Sequence, residues 1–253
     1  MKLHFRSLGE GEPLYILHGL FGSSDNWQTL AKGYAEHFEV FLIDQRNHGH
    51  SPHSDEFNYP AMAEDLLELV FDQQHLAINI LGHSMGAKTA MFFAKRWPEL
   101  IDKMIVADMG TQAYEVHQQQ IISGLQAVDF SIQNSRKAVE SQLQNFIPEA
   151  GMRSFLMKGL YWREKEVLDW RMNVGAISRN IKKIVDGVPE GVVDVDTLFL
   201  SGEKSNYLTS NQFGDVLEHF ENATFDSIKG AGHWLHADQP ELFFQKSLDF
   251  LLA

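Results

Sequence analysis

The stretch Gly82-His83-Ser84-Met85-Gly86 constrains this chain more than any other five residues. It is entered by Ala77-Ile78-Asn79-Ile80-Leu81, apolar and β-like, and left by Ala87-Lys88-Thr89-Ala90-Met91-Phe92-Phe93-Ala94-Lys95, helix-forming up to Pro98. A chain that passes from strand to helix through five residues turns sharply, so the serine is forced into a strained conformation and its neighbours must be small. Glycines at 82 and 86 meet that demand. The turn lifts the Ser84 hydroxyl to the N-terminus of a helix, where negative charge is favoured.

Other short apolar runs alternate with amphipathic stretches, which predicts a mostly parallel central sheet flanked by helices, an α/β architecture. Strands are expected at Leu14–His18, Val40–Asp44, Ile78–Gly82, Met104–Asp108, Thr197–Ser201 and Ala223–Ile228, with an edge strand at Lys2–Arg6. Helices are expected at Asn26–Glu36, Tyr59–Gln73, Ser84–Arg96, Asn211–His219 and Pro240–Leu252. The alternation stops at 112. Up to about residue 190 there is no strand signal, and apolar residues recur at helical spacing, as in Ile121, Leu125 and Val128 or Val139, Leu143 and Phe146. The expected organisation is a core domain of residues 1–111 and 191–253 with a helical lid, 112–190, inserted in it.

Composition removes several function classes. With no cysteine, thiolate metal sites and disulfides are excluded, and nothing requires an oxidising compartment, so a cytoplasmic protein is expected. A formal charge of −13 opposes binding to nucleic acid or anionic lipid. No stretch approaches the roughly 18 apolar residues of a membrane span, and the start has no signal-peptide core. No histidine pair has ligand spacing on a predicted helix, so no metal and no cofactor is expected. Oligomeric state stays open.

A serine hydroxyl needs a base, and an acyl transition state needs donors for its oxyanion. The turn His18-Gly19-Leu20-Phe21-Gly22 follows a strand and can aim a backbone N–H at Ser84, making the amides of Leu20 and Met85 the candidate oxyanion donors. His18 is expected to be structural, beneath the turn. Of twelve histidines, His233 fits the base, because it lies late in the chain in Gly230-Ala231-Gly232-His233-Trp234, after the last strand. His236 suits a surface position better, and His83 and His48 suit packing of the elbow and of loop 44–51.

Together, His18–Ser23 (HGLFGS), Asp44–Ser51 (DQRNHGHS), Gly82–Gly86 (GHSMG), Gly232-His233 and the Asp169–Asn173 segment (DWRMN) resemble the α/β-hydrolase superfamily, and within it the YbfF-type esterases. That resemblance implies the α/β-hydrolase fold. The superfamily usually carries its acid a few residues after the strand 197–201, where this chain has Gly202-Glu203-Lys204-Ser205, so Ser205 stands at the expected aspartate. Either Glu203 reaches in or the acid comes from elsewhere. Asp108, at the carboxyl edge of the strand after the elbow, is the better candidate, and by the likeness to YbfF-type enzymes Ser205 would support it.

The reaction expected is acyl transfer to water through acyl-Ser84, on short to medium acyl esters or thioesters, with a substrate pocket drawn from Phe21, Tyr114, Phe155, Trp162 and Trp234. Lys88, Lys158 and Arg163 are the candidate cations for a phosphate-bearing thioester. Cofactor-free lyases and carbon–carbon bond hydrolases keep the same residues, and a non-catalytic small-molecule binding module is the rival from another class. Epoxide hydrolases and haloalkane dehalogenases need a carboxylate at position 84.

Overall fold

The computed structural model describes residues 1–253. Seven strands form one sheet, β1 (Phe5–Leu8), β2 (Glu12–Leu17), β3 (Phe38–Ile43), β4 (Ile78–His83), β5 (Ile101–Ala107), β8 (Asp196–Gly202) and β9 (Ala223–Ile228), in the order β1-β3-β2-β4-β5-β8-β9. All neighbours are parallel except β1, which runs antiparallel to β3 with Phe5 opposite Ile43. The edge strand thus starts three residues later than expected.

Alternate residues of each strand feed two separate cores, the period-two signature of a sheet covered on both faces. Tyr15, Leu17, Phe41, Ile43, Ile80, Met104, Val106 and Phe199 pack under the helices Tyr59–Asp72 and Met85–Arg96. Leu14, Ile16, Val40, Leu42, Leu81, Ile105, Ala107 and Leu200 pack under Gln28–Tyr34 and Pro240–Leu252. The inner strands are largely apolar because both sides of the sheet are covered there, whereas the edge strands β1 and β9 carry exposed polar residues such as Ser7, Thr224, Asp226 and Ser227. At the carboxyl ends of β2, β3, β4 and β5, His18, Asp44, Ser84 and Asp108 each follow the last residue of the strand.

Between β5 and β8 lie the helices Gln119–Ala127, Arg136–Leu143, Ala150–Met157 and Val174–Ile184. The expectation of helices alone fails at Leu160–Glu164 (β6) and Val167–Trp170 (β7), which pair antiparallel as a hairpin with Leu160 opposite Trp170. Its turn, Lys165-Glu166, places Glu166 at φ 64°. Leu160, Leu168 and Trp170 join the segment's own apolar cluster, which closes over Phe21, Phe57, Tyr59, Met62 and Met85 of the sheet layer. No helix is long and apolar enough to cross a membrane.

Candidate active site

Ser84 adopts φ 53° and ψ −113° between β4 and the helix Met85–Arg96. The reason is local. A Cβ on Gly82 would lie 2.4 Å from the Gly86 carbonyl oxygen, and one on Gly86 would lie 2.3 Å from the Leu17 carbonyl oxygen, so the backbone closes on itself here as no other residues allow. Ser84 N–H still donates to Ala107 O at 3.1 Å, which anchors the strained residue to β5.

One strand over, Asp108 is also at positive φ, 51°, and donates its own N–H to Leu200 O on β8 at 2.9 Å. Its carboxylate is wholly buried. Oδ1 accepts from the Gly202 N–H at 2.9 Å, while Oδ2 accepts from the Ser205 hydroxyl and lies 2.7 Å from His233 Nδ1. His233 Nε2 lies 3.0 Å from Ser84 Oγ. Since Nδ1 faces only a carboxylate, it carries the ring proton, and Nε2 is left to accept the Ser84 proton. Ser84, His233, Asp108 and Ser205 therefore form one unbroken hydrogen-bonded row. Glu203 is outside it, because its carboxylate accepts the Gly230 N–H at 2.7 Å at an exposed bend.

Three other histidines near the site are buried in neutral form. His83 donates Nε2–H to the carbonyl of His233 at 2.8 Å, and burial holds its imidazole well below the usual range. His236 is buried rather than on the surface: it stacks on Trp27 with ring centroids 4.3 Å apart, and burial, aided by His233 and Lys158, lowers its pKa to about 3. His48 accepts the Phe21 N–H at 3.2 Å and passes Nδ1–H to Arg46 O, with burial lowering its pKa to about 3.

The turn after β2 rests on His18. Its Nε2 accepts the Gln45 N–H at 3.0 Å and its Nδ1–H donates to Gly19 O at 2.8 Å, while the Gln45 amide accepts from Thr89. A Cβ at Gly19 would come 2.9 Å from His83 Nδ1. The Phe21 amide is satisfied by His48 and the Gly22 amide by Gly19 O, while the Leu20 amide has no acceptor in the protein. The Met85 amide opens a helix and has no partner within it.

A cavity of about 490 Å³ opens over Ser84. Leu20, Phe21, Trp27, Ile121, Phe155 and Trp234 supply its apolar wall, and it holds one lysine, Lys158, but no carboxylate. Phe155 reaches across to Trp234 with ring centroids 5.5 Å apart. Two expected pocket residues are elsewhere. Trp162 stands on β6, 51% exposed, and Tyr114 points beneath the site, where its hydroxyl donates to Tyr207 O at 2.6 Å. Met85 turns its side chain into the cluster above the sheet. Of the candidate cations, Arg163 is paired with Asp169 at 3.0 Å. Lys88 is buried with Nζ on the carbonyls of Thr111, Gln112 and Asp186, and burial, against the pull of Asp186, lowers its pKa to about 7. The sequence reasoning missed Tyr207, Trp27 and the buried role of His236, whose partners lie far along the chain. Lys88 had a signal: a lone lysine in Ala87-Lys88-Thr89-Ala90, on an otherwise apolar helix face. No group of three or more His, Cys, Asp or Glu side chains is placed to hold a metal ion.

Residues 12–117 match the model of the alpha/beta hydrolase fold. The chain is 33% identical to the esterase YbfF of Escherichia coli over 247 residues, covering 95% of each protein. It is 35% identical to an sn-1-specific diacylglycerol lipase of Xenopus laevis, ABHD11, over 95% of this chain and 80% of that one. Among solved structures, a marine microorganism esterase superposes with a TM-score of 0.96 at 44% identity, over 98% of this chain and 99% of that one. With the elbow, the sheet order and these similarities in agreement along almost its whole length, the chain belongs to the α/β-hydrolase family, among its esterase-like members.

Proposed function

We propose that this protein hydrolyses carboxylic esters through a covalent acyl-Ser84 intermediate. The observation that carries the reading is the row Ser84 Oγ, His233 Nε2, His233 Nδ1 and Asp108 Oδ2, with links of 3.0 and 2.7 Å, at the floor of an apolar cavity. His233 takes the hydroxyl proton as Ser84 Oγ bonds to the acyl carbon, and the carbonyl electron pair moves to oxygen, facing the amides of Leu20 and Met85. Collapse expels the alcohol, protonated by His233. Water then repeats the cycle and frees the acid. Asp108 stays ionised throughout and holds the imidazole in the tautomer that accepts at Nε2, while Ser205 and the Gly202 amide hold Asp108.

Short to medium acyl esters suit the cavity, whose volume lies in the range of about 300–1,000 Å³ usual for small-molecule sites. Segment 112–190 acts as its lid, with Phe21, Phe155 and Trp234 on the acyl group. Thioesters share the chemistry, though Lys158 alone offers a cation to a phosphate-bearing leaving group. A chain without cysteine suits the cytoplasm, where we place the activity. The test is covalent labelling by a fluorophosphonate, abolished by Ser84→Ala, together with turnover of nitrophenyl esters of rising chain length. Absence of labelling in the wild-type protein defeats the proposal. Labelling without ester turnover favours lyase or carbon–carbon bond chemistry at the same residues.

A further inference from the structure

The face of the His233 ring is covered. Tyr207 lies on it almost parallel, with ring centroids 4.0 Å apart and 20° between planes. Tyr207 belongs to the loop after β8 and lines the cavity, yet it makes no link in the row from Ser84 to Asp108. Its backbone is held on both sides: its N–H donates to Ser205 Oγ at 3.2 Å, the same hydroxyl that donates to Asp108, and its carbonyl accepts from Tyr114 at 2.6 Å. Tyr114 is fixed in turn, its hydroxyl accepting from the Gly110 N–H at 2.7 Å and its N–H donating to Val185 O at 2.7 Å. So rigid a mounting for one ring calls for a reason.

We propose that Tyr207 is a positioning residue for the hydrolysis, whose ring holds the His233 imidazole in the plane joining Ser84 to Asp108 and stabilises the imidazolium by the negative charge of its face. This inference rests on the ester-hydrolase reading. When the Ser84 proton moves to Nε2, the ring becomes a cation, and a cation over an aromatic face is attracted by the ring quadrupole. The other groups around His233 come from several elements. From the elbow come Ser84 and His83, from the end of β5 Asp108, from its own loop His236, and across the cavity the exposed His117 and Lys158. Burial keeps His83 and His236 uncharged, so neither repels the imidazolium. Burial also raises the Tyr207 phenol, with the Asp108 charge adding to the effect, so the face is that of a neutral phenol.

The test is kcat/KM for a nitrophenyl ester as a function of pH. Tyr207→Phe keeps the face and is expected within about twofold of wild type; Tyr207→Leu, apolar but without a face, is expected to lose about tenfold, mainly in kcat, and to move the acidic limb of the profile to lower pH. Phenylalanines with rising numbers of ring fluorines, incorporated at 207, keep the shape while draining charge from the face, and should lower kcat/KM step by step. That series decides the matter even if Tyr207→Leu fails to fold. A flat fluorine series, or Tyr207→Phe as impaired as Tyr207→Leu, overturns the proposal while wild-type turnover stands. Lack of wild-type turnover overturns the ester reading instead.

Discussion

The sheet edge that carries Ser84 and the segment 112–190 above it are held by different forces. At the edge, Ser84, His233, Asp108, Gln45 and His18 each have a hydrogen-bond partner within about 3 Å, and backbone closes so tightly that glycine is required. The segment is held mainly by an apolar cluster, with its polar ties near its base: Lys88 on Thr111, Gln112 and Asp186, Tyr59 OH on Ile184 O at 2.6 Å, and Asn173 N–H on Asn47 O at 2.8 Å. Helices 119–127 and 150–157 meet the cavity through Ile121, Met152 and Phe155. Directional bonds fix atoms to within fractions of an ångström, whereas apolar packing fixes volumes and tolerates exchange. On the proposed reading chemistry belongs to the edge and substrate choice to the segment, and substitutions in the two should differ sharply in size of effect.

The largest effect is expected at Asp108. Asp108→Asn keeps the shape but removes the charge that fixes the His233 tautomer, and kcat/KM should fall by a factor on the order of 10³–10⁴. Glu203→Gln should stay within a few-fold, because that carboxylate caps Gly230. A collapse in the glutamate variant alone would assign the acid to the wrong strand.

Acid should loosen the edge and spare the segment. His48 and His236 are buried neutral, with pKa values lowered to about 3, while the same groups in an unfolded chain titrate near the model value 6.5. The unfolded chain therefore binds protons first as pH falls, so their contribution to stability is whole above about pH 6.5 and is lost progressively down to about pH 3. Each such group removes roughly 1.4 kcal/mol per pH unit within that window. His18 and His83 shift in the same direction. The segment contains one histidine, His117, on its surface. Thermal unfolding from pH 8 to pH 4.5 should show Tm falling from just below pH 6.5. His236→Phe, which keeps the stack on Trp27 and removes a buried Nδ1 without a partner, should flatten the slope by close to one proton. An unchanged slope would mean that His236 is already solvated.

The same contrast explains what the amino-acid order disclosed. The elbow was legible because Gly82 answers to backbone only four or five residues away and Gly86 to the end of the adjoining strand, and the sheet because its inner strands are apolar on both faces. The hairpin 160–170 was not, since its hydrogen-bonded pairing leaves little mark on Trp162-Arg163-Glu164-Lys165-Glu166, which is polar and short. His236 was misplaced because its cover, Trp27, comes from the other end of the chain. Tyr114 was misplaced for the same reason: Tyr207, which takes its hydroxyl, is 93 residues away.

The segment's share of the contrast is tested at Phe155. Phe155→Ala removes the ring that meets Trp234 and widens the cavity. A partly buried aromatic at such a contact contributes on the order of 1 kcal/mol, so KM for longer acyl esters should rise about fivefold, with kcat for the shortest ester within twofold. Equal loss for all chain lengths would place Phe155 with the catalytic row.

Trp162 should mark the lower bound. It was expected in the pocket, but it sits on β6 opposite Leu168 with half its surface in solvent, and it lines no part of the cavity. Surface changes away from caps and buried bonds usually stay within about 0.5 kcal/mol. Trp162→Ala is expected to leave the ester chain-length profile unchanged and to lower Tm by no more than a few degrees. Its neighbours across the hairpin supply the control: Leu168 and Trp170 are buried in the segment's cluster, and Leu168→Ala should cost about 2–5 kcal/mol through the cavity it leaves. A chain-length profile that shifts with Trp162→Ala would show that β6 swings over the cavity in solution and that exposure of its ring is a property of the open form.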